Sequence, residues 1–214
     1  RAILGNKTLT QIRGLNLHNN RIWADDVLRI ARSPIATQLT HLDLSGNGIG
    51  TDGVANLTNE TFAGLEELNL RSDGLPEYES LDVEAMTALS QAMFRRLKRL
   101  NLSGHVIGDW GFHKLCVASK RWKLGELNVS QNHLGTAGGL SMALPPIEHG
   151  CTLSIIDYSD NELEHSDAEY LLQWLPLDQM KEFRLAKSAV DEATLKLLLA
   201  SRYAAKFHLN GDAP

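Results

Sequence analysis

The stretch LTHLDLSGNGIGTDGV, residues 39–54, decides how the whole chain is read. Leu42 and Leu44 alternate with Asp43 and Ser45, the period-two pattern of a strand with one buried face. Asn47 and the glycines around it then mark a turn. From Val54 onward the apolar spacing becomes helical, through Leu57 to Phe62. The stretch therefore predicts a strand, a turn and a helix, a unit too small to bury its apolar face alone.

Such a unit makes sense only if it recurs, and it does. The template L-x-x-L-x-L-x-x-N-x-L fits IRGLNLHNNRI from Ile12, LTHLDLSGNGI from Leu39, LEELNLRSDGL from Leu65 and LKRLNLSGHVI from Leu97. It continues as LGELNVSQNHL from Leu124, LSIIDYSDNEL from Leu153 and MKEFRLAKSAV from Met180, then fades into AAKFHLN at Ala204. The steps between anchors are 27, 26, 32, 27, 29, 27 and 24 residues, so about eight rungs fill the chain. This periodicity accounts for the 36 leucines among 214 residues. Stacked rungs place successive strands parallel, about 4.8 Å apart, with the helices outside. The expected fold is an α/β solenoid shaped like a horseshoe, with strands on the concave face and helices on the convex one.

The run L-x-x-L-x-L-x-x-N-x-I followed by G-x-x-G, as in residues 39–54 and 124–138, resembles the ribonuclease-inhibitor type of leucine-rich repeat. The resemblance spans nearly the whole chain and implies a scaffold that binds a partner protein. Fold alone does not name that partner. In the asparagine slot, Asn20, Asn47, Asn132 and Asn161 can bond backbone at the strand-to-turn corner. Asp73, His105 and Ser188 fill it elsewhere, and each can still make one or two such bonds. The third rung is about five residues too long. Its acidic insertion, residues 72–84, carries Glu77, Tyr78 and Glu79, and solenoid insertions tend to form one surface loop.

Outward strand positions supply the candidate partner-binding face: His18, His41, Asp43, Glu67, Asn69, Arg71, Arg99, Asn101, Asn128, Asp157 and Arg184. Both charge signs are interleaved there, which fits a protein partner better than nucleic acid, whose phosphates call for a coherent basic stripe. His18 and His41 fall on outward positions of adjacent rungs, which allows a pH-sensitive contact, but two exposed histidines on a polar sheet are the better reading. Charge along the chain is uneven. The net charge of −5 resolves into +7 over residues 95–123 and −12 elsewhere. Arg95, Arg96, Lys120, Arg121, Trp122 and Lys123 thus form a candidate basic edge for an acidic partner surface.

Other signals weigh less. Gly48-Ile49-Gly50-Thr51-Asp52-Gly53 is a literal GxGxxG between strand and helix, but the equivalent slots at residues 106–111 and 133–138 keep only the second and third glycines. Those two glycines belong to the repeat, and a nucleotide site is not expected. The eight histidines show no metal-ligand spacing, so no metal or cofactor is expected. The Asn-x-Ser sequons at Asn101 and Asn128 are simply strand consensus. Apolar runs, such as residues 197–200, are too short for a bilayer span. Cys116 and Cys151 read as reduced thiols, which points to the cytoplasm. The ends, from Arg1 to Leu4 and at Pro214, carry no evident caps, so a piece of a longer chain, or end-to-end packing on another domain or copy, is expected. The leading reading is a non-enzymatic protein-interaction module. The alternative is a sensor or autoinhibitory repeat domain whose catalytic domain lies elsewhere.

Overall fold

A computed structural model describes residues 11–74, 79–135, 152–175, 177–186 and 190–210. Eight parallel strands form one open sheet in strict sequence order. They are β1 (Gly14–Asn16), β2 (His41–Asp43), β3 (Glu67–Asn69), β4 (Arg99–Asn101), β5 (Glu126–Asn128), β6 (Ile155–Asp157), β7 (Glu182–Ala186) and β8 (Phe207–Asn210). The helices among the described residues are α1 (Ala24–Ala31), α2 (Gly50–Leu57), α3 (Val83–Leu89), α4 (Gly108–Trp122), α5 (His165–Trp174) and α6 (Glu192–Ala200). Each strand pairs only with the strands of adjacent rungs, which is the solenoid expected from the spacing.

Register explains the alternation. Leu42, Leu68, Leu100, Leu127, Ile156 and Phe183 stand in one row across β2–β7, all buried, and the next inward position repeats the pattern with Leu44, Leu70, Leu102, Val129, Tyr158 and Leu185. In the last rungs aromatic rings replace leucine. Phe112, Tyr158, Phe183 and Phe207 follow one another at centroid distances of 6.0, 5.7 and 5.9 Å. Helix starts obey local chemistry: Asp82 caps α3 through the Ala85 N–H and Asp191 caps α6 through that of Thr194. On α6, Leu198 is buried, whereas Leu199 is 52% exposed.

The turn after each strand would bury backbone groups with no partner, and the asparagine slot supplies those partners. Asn47 Oδ1 accepts from the N–H groups of Asn20 and Ile22, and its Nδ2 donates to the carbonyls of Leu17, Leu44 and Ser45. Asn161 does the same for Asn132, Leu134, Val129, Tyr158 and Ser159. His105, in the equivalent slot, performs both jobs with one ring. Its Nδ1 accepts from the Leu81 N–H at 3.1 Å, and its Nε2 donates to the Leu70 carbonyl at 2.6 Å. That pairing needs the neutral imidazole with the proton on Nε2. Burial accordingly holds its pKa below the ordinary value. Asp73 behaves differently, turning its carboxylate outward to His18 and Arg71. Ser188 lies outside the described residues.

One residue expected on the basic edge belongs to the core instead. Trp122 is fully buried against Phe94, with ring centroids 5.5 Å apart, and its indole N–H donates to the Ala92 carbonyl at 2.8 Å. A large ring with one polar atom is well placed where a carbonyl of the preceding rung needs a donor. The adjacent Arg121 joins it, donating to the carbonyls of Ser90 and Ala92.

These contacts set the cost of substitution at both positions. His105→Ala leaves a buried N–H and a buried carbonyl unpaired and should cost about 1–3 kcal/mol in urea unfolding. His105→Asn should restore the bonds and also change the pH response. The unfolded imidazole takes up a proton below about pH 6.5, whereas the folded one resists it, so stability falls as pH drops through that value. The stability difference between the wild type and His105→Asn should therefore shift with pH below the unfolded pKa and stay flat above it; a difference independent of pH would refute the neutral assignment. Trp122→Ala should cost about 3–5 kcal/mol in the same unfolding measurement. Trp122→Phe should cost clearly less, since Arg121 still reaches Ala92.

Candidate protein-binding face

Two outward columns run across the sheet. The first holds Gly14, His41, Glu67, Arg99, Glu126, Ile155 and Glu182, and the second Asn16, Asp43, Asn69, Asn101, Asn128, Asp157 and Arg184. The second column has a structural task before any binding task. Oδ1 of Asn16, Asp43, Asn69, Asn101, Asn128 and Asp157 each accepts the N–H two residues on, turning the chain out of the strand. Asn16 and Asp43 use their second side-chain atoms on each other, Nδ2 donating to Oδ2 at 3.2 Å.

Most charges of the first column neutralise one another. His41 Nε2 lies 2.9 Å from Glu67 Oε1, and Glu67 also pairs with Arg99. Arg184 is bidentate to Glu182 at 2.8 and 3.1 Å, and this hydrogen bonding, helped by the guanidinium charge, holds the Glu182 carboxyl below the usual range. His18 and His41 do not meet. The register sets His41 beside Gly14, while His18, two positions beyond Asn16, bonds Ser45 at 2.9 Å and Asp73 at 3.1 Å. Arg71 joins the same carboxylate at 3.0 Å. The pairs are partly exposed, so each adds little stability, yet together they hold the side chains in place.

A groove of about 370 Å³ lies over β2–β7, with Arg99, Glu126, Asn128, Ile155, Asp157 and Arg184 in its lining. Glu126 has no salt-bridge partner within 4 Å among the described residues, and Asp157 keeps only a 3.8 Å contact with Arg184. Ile155 is the one aliphatic side chain in the two columns.

The basic edge is weaker than the sequence suggests. Glu66 sits between Arg96 at 2.8 Å and Lys98 at 2.6 Å, and the bond from Lys98 lowers its pKa. The alternation rule gave no reason to single out Glu66, because it precedes the strand. Arg95, Lys120, Arg121 and Lys123 remain exposed. Lys123 closes α4 in the left-handed region, φ 60°, a helix-ending position where a cation also suits the helix dipole.

Glu77 and Tyr78 of the insertion lie outside the described residues. Glu79 comes close to Gly48: a Cβ there would sit 2.6 Å from its carboxylate and 2.9 Å from the Trp23 ring. Gly50 opens α2 at φ 60°, and Gly53 packs on Ile49, as expected for repeat glycines. The cleft beside them is lined by Asp25, Asp52 and Glu79, carboxylates that oppose a pyrophosphate. Among the described residues no cluster of three His, Cys, Asp or Glu is arranged to hold a metal, and no helix is long and apolar enough to cross a membrane. Cys116 is buried, whereas Cys151 lies outside the described residues.

Comparison with known proteins agrees with this geometry. Residues 37–57 and 123–143 match the Leucine Rich repeat family. No curated protein matches the chain in sequence. Among solved structures, human 5T4 (Wnt-activated inhibitory factor 1, trophoblast glycoprotein) is similar with a TM-score of 0.55 at 17% identity, over 95% of this chain and 81% of that one. Repeated strand and turn, one sequential parallel sheet and this likeness together give the chain a leucine-rich-repeat solenoid fold.

Proposed function

We propose that the chain is a non-enzymatic protein-recognition module of the ribonuclease-inhibitor-like subtype, which holds a partner protein on its concave strand face and adjacent loops. The helix that follows most of the described strands supports the subtype. One observation carries the function: an open face of eight strands presents side chains already fixed by ion pairs and turn bonds, over a groove rather than a flat surface. A surface ordered in advance loses little entropy on association, so a few contacts suffice for affinity. Paired charges of both signs argue against a phosphate-tracking role. The basic edge, reduced by Glu66 and by the burial of Trp122, takes second place as a docking surface.

The reading is tested by affinity capture after chemical cross-linking, with the full chain as bait. Ile155→Arg and Glu126→Arg, which put a bulky cation on the floor of the groove, should each lower capture of the partner by about tenfold or more, the loss expected of a residue central to an interface. Arg95→Glu combined with Lys123→Glu should alter only the salt dependence. Loss confined to the edge variant moves docking off the sheet and overturns the reading. For the glycine motif, ATP and NAD should leave the melting temperature unchanged, and a saturable rise would contradict the non-enzymatic assignment.

A further inference from the structure

The groove over β2–β7 is unequal in charge: the carboxylates of Asp43, Glu67, Glu126 and Asp157 line it against the guanidiniums of Arg99 and Arg184, with His41 held at Glu67. Both guanidiniums are already committed, Arg99 to Glu67 and Arg184 to Glu182. The window between them therefore presents carboxylate that no cation contacts closely: Glu126 feels Arg184 only through space, and Asp157 is loosely held by it, with Ile155 alongside. In water this arrangement is stable. Covered by a partner, Glu126 would lose its hydration, and an unpaired carboxylate at an interface is costly. Whatever covers this window must bring a cation to it.

We infer that the groove binds an extended basic peptide segment, placing a Lys or Arg side chain between Glu126 and Asp157 and an aliphatic side chain on Ile155. The inference rests on the concave-face reading above and names the partner's chemistry. Strands about 4.8 Å apart make the span from β4 to β7 roughly 14 Å. An extended segment of about four residues covers that distance.

The test is fluorescence anisotropy with the full chain and a labelled peptide of about eight residues alternating Lys and Leu, beside the same peptide with Glu in place of Lys. The Lys peptide should bind saturably at about 0.15 M salt and the Glu peptide should not. Glu126→Gln and Asp157→Asn preserve shape, and the amide introduced by Asp157→Asn keeps the oxygen that accepts from the Ser159 N–H, so both should fold with an unchanged circular dichroism spectrum. Each should weaken the Lys peptide, the pair together by about tenfold or more. Absence of saturable binding, indifference to both variants, or preference for the Glu peptide overturns the inference. The two readings fail separately. If Ile155→Arg and Glu126→Arg abolish partner capture while the Lys peptide does not bind, the partner's chemistry is wrong and the concave face stands. If those variants leave capture intact, the face itself is wrong.

Discussion

The structure depends on one constraint, that every turn leaving the sheet must have its buried N–H and C=O groups paired. Strands of three to five residues provide few ladder bonds, and each corner then carries the chain through apolar surroundings where water cannot help. An amide meets the need because it accepts on one atom and donates on the other. Asn47 and Asn161 use both atoms, accepting from N–H groups and donating to carbonyls of the preceding rung. The spacing between rungs and the register of the sheet follow from this bond pattern as much as from leucine packing.

The fold was legible because the demand repeats at a fixed period. Alternating leucines, the asparagine corner and the entry glycines occur together, and only a stacked strand-turn-helix unit satisfies all three. The substitutions within that pattern were harder to read. His105 stands where an amide belongs, and the geometry shows why it fits: a neutral imidazole is also one donor and one acceptor. Asp73 lacks a donor and could not imitate the amide. It became the anchor of a surface pair with His18 and Arg71, a role that needs coordinates rather than spacing.

The candidate site was legible as a set of positions and illegible as a set of interactions. Alternation places His41, Glu67, Arg99 and Arg184 on one face, and the register agrees. It does not say which charge answers which. Glu66 neutralises part of the basic edge from a position that no strand pattern marks, and Trp122 turns inward because a neighbouring carbonyl requires its N–H. Counting charges along a sequence overstates a surface wherever adjacent rungs bring opposite signs together.

That pairing also shapes recognition. Side chains locked in ion pairs lose little freedom when a partner arrives, but they also offer little new attraction, since their charges are already answered. Binding energy is then concentrated at the few groups the scaffold leaves unanswered. Along the concave columns those are Glu126, the free edge of Asp157 and the aliphatic surface of Ile155. Selectivity on such a face arises less from its many charges than from the small window where the internal pairing stops.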